Sequence, residues 1–251
     1  MIPLLVILYF AASSAWLIGS GEVIPGHSWM TASREPTHTA PTPQEHPEAM
    51  VRLYMARTFS WRGIFGMHPW FALKEKNADH WTVLEVLGWN LRRDKSVVEV
   101  RPDAPDRLWY EAQPRLMFEL TGTKAESAIP KMLAAAQSYP HPREYRVWPG
   151  PNSNTFAAHL IRETPELQGA ELPVTAIGKD YLPHAALADF TPSRTGVQLS
   201  LRGFAALNLG IEEGIEVDLL GVTVGVDLYP PAIKVPVWGR LGWPNNRTPE
   251  R

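Results

Sequence analysis

The chain begins with an apolar run that a water-exposed helix could not carry. From Ile2 to Ile18, in "MIPLLVILYFAASSAWLIG", there is no charged residue, and no Lys or Arg precedes Arg34. The run falls just under the roughly 20 residues that a helix needs to span the hydrocarbon of a bilayer. A buried core helix is the weaker interpretation, because the run is apolar all round and a polar segment follows it. The run therefore predicts a membrane-targeting segment that contacts lipid.

This segment fits either an uncleaved membrane anchor or a cleaved secretory signal. An uncleaved anchor over residues 1–20 is favoured by its length. The small-residue run "AASSA" is compatible with a cleaved secretory signal, although the basic region that normally precedes such a signal is missing. Arg34 and Arg52 follow the span and would favour a cytoplasmic domain by the positive-inside rule, but two scattered arginines carry little bias.

Composition divides the rest of the chain. Residues 21–47, with "REPTHTAPTPQEHPE" at their centre, are rich in Pro and Thr and predict an extended spacer that holds the folded part away from the membrane. The folded part is expected at residues 48–190, followed by a β-rich region at 191–251. A chain of 251 residues with 45% hydrophobic residues fits one main domain.

Charge and cysteine content exclude several classes of function. With 24 basic and 26 acidic residues, the chain has no basic surface that would indicate a nucleic-acid partner. The absence of Cys excludes disulfides, thiolate metal sites and a cysteine nucleophile. No His-x-x-x-His, His-Glu-x-x-His or glycine-rich phosphate motif occurs, so we expect no metal and no cofactor.

Hydrophobic patterns predict an α+β fold in which helices pack on an antiparallel sheet. The runs "IFGMHPWFALK" and "HWTVLEVLGW" indicate a hairpin that "SVVEVR" continues, while "EAMVRLYMARTF" fits either a strand or a short helix. Helices are expected in "APDRLWYEAQPRLMFELTG", "AESAIPKMLAAAQSY" and "NTFAAHLIRE". The C-terminal runs "GVQLSLRGFAALNLG", "GIEVDLLGVTVGVDLY" and "AIKVPVWGRLG" alternate apolar and polar residues between glycines, which predicts a β meander.

The stretch "WPGPNSNTFAAHL" is the best candidate for chemistry. It places Ser153 at the start of a predicted helix, where unpaired N–H groups and the helix dipole stabilise negative charge. The commoner role of Asn152, Ser153 or Asn154 at such a position is to cap the helix. A nucleophilic Ser also needs a base and a group that orients the base, and His68 is the best candidate base.

Long blocks of the chain resemble a known bacterial family. "PEAMVRLYMARTFSWRGIFGMHPWFALK", "YRVWPGPNSNTFAAHLIRETPEL", "TAIGKDYLP", "TGVQLSLRG" and "EEGIEVDLLGVTVGVD" are similar, in this order, to the membrane-anchored domain of unknown function 3750. In the family's His-x-Trp-x-x-x-Lys pattern, His68, Trp70 and Lys74 match, whereas Pro69 stands where a small or hydroxyl residue is usual. The resemblance implies a single-pass protein of a bacterial cell membrane, whose domain we place on the periplasmic side.

A more distant resemblance concerns the fold. A His on an early strand, followed by an Asn-Cys-x-x-Phe helix start, resembles the circularly permuted papain-like group that includes NlpC-type peptidases. Ser153 would stand where that group has its Cys, with Phe156 as the core aromatic. An alcohol has a far higher pKa than a thiol, so a Ser-His pair would depend on general-base catalysis. The resemblance implies either an altered hydrolase or an inactive relative that keeps a pocket.

Three functions follow from these features. In a hydrolase or acyltransferase, Ser153 attacks an amide or ester, His68 is the base, and Asn154 or Lys74 orients it. In a catalytically silent module, the helix start is a cap and the groove binds an envelope peptide, glycan or lipid. In a structural subunit, a Trp-rich surface packs on another membrane protein, for which the sequence names no partner. The residues expected to bind substrate or ligand are Trp70, Lys74, Trp148, Asn152 and Thr155.

Overall fold

The computed structural model describes residues 2–243. Met1 of the expected anchor and residues 244–251 of the expected β-rich region lie outside the described residues. The elements are α1 (Ile2–Gly19), β1 (Met50–Arg57), β2 (Met67–Lys74), β3 (Thr82–Val86), β4 (Val98–Pro102), β5 (Arg115–Thr121), α2 (Gly122–Gln137), α3 (Ser153–Glu163), β6 (Ala188–Phe190), β7 (Gly196–Ser200), β8 (Ala205–Gly210), β9 (Gly214–Leu219), β10 (Val222–Leu228), β11 (Pro231–Val235) and β12 (Gly239–Gly242).

The first sheet has five antiparallel strands in the order β4-β3-β2-β1-β5. The expected hairpin is confirmed by the pairing of Phe71 on β2 with Leu84 on β3. The stretch that fitted a strand or a helix is β1, which pairs with β2 so that Tyr54 lies opposite Trp70 and Ala56 opposite His68. The α+β fold with helices packed on an antiparallel sheet is therefore confirmed.

One face of this sheet carries the main core. Leu53, Phe71 and Leu84 from the strands contact a layer formed by α2 and α3, which contribute Met132 and Leu160. All five side chains are at most 1% exposed. Because each buried aliphatic or aromatic side chain contributes about 1.5–3 kcal/mol, this layer holds the helices against the sheet.

The opposite face of the first sheet is covered by irregular chain. A second cluster, which includes Trp70 and Trp109, lies there, and the segment expected to be a free spacer runs along it. The N–H of Ala40 donates to Oδ2 of Asp106 at 2.9 Å, and Pro36 forms a bridge with Arg107. The expectation of a detached spacer is thus wrong for this part of the segment, because its backbone bonds to the domain.

One predicted helix is wrong. "APDRLWYEAQPRLMFELTG" forms turns and then strand β5, which pairs with β1. Phe118 and Leu120, two residues apart, both face the main core, as the period of a strand requires. The acidic residues and Pro that suggested a helix start belong to the turns before the strand. The two other expected helices are confirmed as α2 and α3.

The C-terminal region forms a second sheet of seven antiparallel strands in sequence order from β6 to β12, as the predicted meander requires. Helix α1 packs on its β11–β12 turn, where Leu17 joins Val237 in a small buried cluster. Within residues 2–243 no helix has the length and apolar character needed to cross a membrane, so the structure does not support the expected single-pass span.

Candidate functional site

The start of α3 is a complete helix cap. Oδ1 of Asn152 accepts the backbone N–H groups of Asn154 at 2.9 Å and of Thr155 at 3.2 Å. Oγ1 of Thr155 accepts the N–H of Asn152 at 3.1 Å and donates to the carbonyl oxygen of Gly178 at 2.7 Å. Gly178 adopts φ +96°, and a Cβ there would lie 2.2 Å from Nδ2 of Asn152. The polar atoms of Asn152 and Thr155 are thus used within the chain to cap α3.

Asn154 ties the helix start to the first sheet. Its Nδ2 donates to the carbonyl oxygen of Met67 at 3.1 Å and to that of Ile177 at 2.9 Å. Ser153, the first residue of α3, is 5% exposed. Among residues 2–243 its hydroxyl has no hydrogen-bond partner, so no described base takes its proton.

His68 is held in a buried ion-pair cluster. Its Nε2 lies 3.1 Å from Oε2 of Glu85, and its ring stacks on Trp109 with centroids 3.6 Å apart. Nη1 of Arg101 and Nη2 of Arg107 each lie 2.7 Å from Oε1 of Glu85. The carboxylate is therefore shared by one imidazole and two guanidinium groups.

Burial and charge set the protonation states in this cluster. Burial lowers the pKa of His68 and outweighs the opposite effect of Glu85. Burial alone would raise the pKa of Glu85, but the His68 hydrogen bond and the Arg107 charge lower it to about 2. Glu85 is thus ionised and His68 neutral at neutral pH, so the imidazole Nε2–H donates to the carboxylate.

The structure does not bring Ser153 and His68 together. Side chains alternate between the two faces of a strand, and on β2 the odd-numbered Met67 and Phe71 join the core beside α3. His68 instead stacks with Trp70 and Trp109 on the opposite face. The sheet therefore stands between the expected nucleophile, Ser153, and its expected base, His68.

The other expected site residues do not line one groove. Trp70 is 1% exposed and donates its Nε1–H to the carbonyl oxygen of Pro105 at 2.7 Å. Lys74 is fully buried and bonds to the carbonyl oxygen of Glu48. Trp148 is on a different side of the molecule, where its ring meets Phe204 edge-on at 5.0 Å. No metal cluster of His, Asp and Glu occurs among the described residues.

A second buried polar network, which no sequence motif indicated, lies on the inner face of the seven-stranded sheet. Lys179 contacts Glu216, whose other carboxylate oxygen lies 3.0 Å from Nζ of Lys234. Nδ2 of Asn208 and Nε2 of Gln198 donate to Oδ1 of Asp180 at 2.8 and 2.7 Å.

The contact between Lys179 and Glu216 is an ion pair. Burial alone would lower the pKa of Lys179, but the charges of Asp180 and Glu216 raise it. Burial would likewise raise the pKa of Glu216, but Lys179 and Lys234 hold it below its ordinary value. Lys179 and Glu216 are therefore charged at neutral pH, and the amides of Asn208 and Gln198 complete the network as neutral hydrogen-bond donors.

The outer face of the same sheet is apolar and exposed. Strand residues alternate, so the polar members point inward and the aliphatic members point outward. The outward side chains, each between 39% and 62% exposed, include Val197, Leu199, Leu209, Ile215, Val217, Leu219, Val222, Val224, Val226, Ile233 and Leu241. We call these residues the apolar outer face. The alternation was visible in the sequence, but which set faced the core was not.

Comparison with known proteins places this geometry in a family. The model of a family described as "Protein of unknown function (DUF3750)" matches residues 48–181, just over half of the chain. The matched part contains the first sheet, α2, α3 and both the Ser153 and the His68 environments, and it ends before β6. No curated protein and no solved structure matches the chain. The papain-like resemblance stays a prediction.

Proposed function

The chain belongs to the DUF3750 family of proteins of unknown function, and we propose that it is a non-enzymatic module that attaches to a bacterial membrane by inserting α1 among lipids. The ligand is then lipid, rather than the peptide or glycan that the sequence also allowed.

The observation that carries this proposal is the exposure of α1. Residues 4–8, "LLVIL", are each between 48% and 63% exposed. Five helical residues rise about 7.5 Å, which is far less than the roughly 30 Å hydrocarbon core and limits the exposed run to one leaflet. Exposing such a surface to water costs about 25 cal/mol of free energy per Å² of apolar area.

The other end of α1 is fixed to the domain. Trp238 donates its Nε1–H to Oγ of Ser13 at 2.8 Å, and its ring lies 4.7 Å from that of Trp16. Leu17 is fully buried beside Val237. This attachment supports a helix that presents its first turns outward while its last turns hold the domain close to the lipid surface.

The site around Ser153 supports a binding module over a hydrolase. A Ser nucleophile needs a base within hydrogen-bond reach, and His68 is committed to Glu85 on the opposite face of the sheet. The polar residues beside Ser153 complete a helix cap, so the stretch has a structural use without any chemistry.

Vesicle flotation tests the proposal. The full chain carrying Leu5→Glu and Ile7→Glu is compared with the unaltered chain and with Val100→Glu, which adds a charge at a 45% exposed position on β4. Placing a charge in the hydrocarbon costs about 2.5–3.5 kcal/mol at the centre of a bilayer and less near its surface. We expect the α1 variant to float at least about tenfold less than the other two proteins. Equal flotation of all three would refute the proposal.

A further inference from the structure

The outer positions of the central strands of the seven-stranded sheet contain aliphatic side chains only. They are Ile215, Val217 and Leu219 on β9, and Val222, Val224 and Val226 on β10. Each is between 39% and 62% exposed. No charged or polar side chain interrupts these six positions, so the centre of the face offers nothing that water can hydrate.

The face cannot turn inward. The same two strands point Glu216, Asp218 and Thr223 toward the interior, where all three are at most 5% exposed. Glu216 is paired there with Lys179 and Lys234. A shift of one residue in register would exchange the two faces and leave these ions without partners. The ion network therefore fixes the apolar side chains outward.

The face is comparable in size to the largest apolar patches on monomeric proteins. Seven strands span six spacings of about 4.8 Å, and the strands, of three to seven residues, are about 10–24 Å long. The sheet thus covers on the order of 500 Å² in projection. The largest patch on a monomeric protein is typically about 300–600 Å² and often has a function in binding.

The chemistry of the face favours lipid as its occupant. Protein interfaces are enriched in Met, Arg and aromatic residues at their core, and the centre of this face has none of them. The aromatic residues border it instead. Phe204, 45% exposed, lies at the turn that ends β7, and Tyr229 and Trp243, 84% and 69% exposed, lie at the other end of the strands. Trp and Tyr prefer this border position at the interface between membrane and water.

Helix α1 meets this sheet at one end, because it packs on the β11–β12 turn. We propose that the apolar outer face of the second sheet rests against the acyl chains of the bilayer into which α1 inserts, so that the domain lies flat on the membrane. This inference rests on the proposed attachment through α1 and names a second contact of the same protein with lipid.

The absence of Cys allows a direct test. Single variants Val224→Cys, Ile7→Cys and Lys76→Cys of the full chain are labelled with an environment-sensitive fluorophore and mixed with vesicles of phosphatidylcholine and phosphatidylglycerol that carry nitroxide-labelled acyl chains. The Lys76 side chain is 59% exposed in the β2–β3 loop and belongs to neither α1 nor the second sheet. We expect a blue shift and acyl-chain quenching at positions 224 and 7, and neither at position 76. Circular dichroism and the melting temperature establish that each labelled variant is folded.

The outcomes separate the two proposals. Quenching at position 7 without quenching at position 224 would overturn the flat orientation and leave the α1 attachment standing. Absence of quenching at both positions would overturn both. A disulfide-linked dimer of unlabelled Val224→Cys that forms without lipid, together with an unquenched label at position 224, would assign the face to a second copy of the chain and overturn the lipid contact.

Discussion

Nε2 of His68 lies 3.1 Å from Oε2 of Glu85, and both side chains are buried on the face of the five-stranded sheet that is turned away from α3. The same carboxylate also binds Arg101 and Arg107. The histidine that the sequence offered as a catalytic base is therefore a member of a structural ion-pair cluster.

This cluster predicts a large loss of stability when its centre is removed. In Glu85→Ala, the buried Arg107 and the half-buried Arg101 lose their shared anion. Breaking a buried pair in this way costs about 3–5 kcal/mol of unfolding free energy, measured by urea denaturation. Glu126→Ala, which removes a surface pair of 3.8 Å on α2, is the matched control and should cost at most about 1 kcal/mol. Equal effects of the two variants would show that the cluster is not structural.

The lowered pKa of Glu85 also predicts that the stability of the fold decreases in acid. Its folded pKa of about 2 lies below the ordinary 4.5, so its contribution to stability is fully present above pH 4.5 and is lost as the pH falls toward 2. The difference corresponds to about 3 kcal/mol. We expect the unfolding free energy of Glu85→Gln to depend less on pH in this window than that of the parent. Parallel pH profiles of the two proteins would contradict the assignment.

Two substitutions at the start of α3 distinguish a capping role from a catalytic role. Asn152→Ala removes the acceptor for two backbone N–H groups and should cost about 1–2 kcal/mol. Ser153→Ala should change stability by less than about 0.5 kcal/mol, because its hydroxyl has no hydrogen-bond partner within residues 2–243. A fluorophosphonate probe should label neither the parent nor Ser153→Ala. Labelling of the parent that disappears in Ser153→Ala would restore the nucleophile hypothesis.

The second ion network predicts coupling between Lys179 and Glu216. Lys179→Met leaves part of the buried negative charge uncompensated and should cost about 3–5 kcal/mol. Combining it with Glu216→Gln should cost less than the sum of the two single changes, since contacting residues in one network are not additive. A double-mutant cycle of thermal or urea unfolding measures this. Strict additivity would contradict the network.

The parts of the fold that the sequence predicted well are those set by local chemistry. The hairpin of β2 and β3 follows from residue composition, and the beginning of α3 follows from cap residues. β5 was missed because the acidic and Pro signals before it are shared by turns and helix starts, while its pairing with β1 is a contact distant in sequence.

The separation of Ser153 from His68 could not be predicted from the sequence for a related reason. Asn154 does reach β2, at the carbonyl oxygen of Met67, and His68 is the next residue. Adjacent strand residues point to opposite faces, so the outcome depended on which face α3 covers, which no local pattern determines. The inward direction of the polar residues of β9 and β10 was hidden likewise, because alternation defines two faces without saying which is buried.

Attachment of the protein to lipid is tested most directly by vesicle flotation. The unaltered full chain is mixed with phosphatidylcholine and phosphatidylglycerol vesicles. The protein should rise with the vesicles, and the bound fraction should increase with lipid concentration and survive high salt, because the contact is apolar. A folded, monodisperse protein that stays at the bottom of the gradient at every lipid concentration would contradict it.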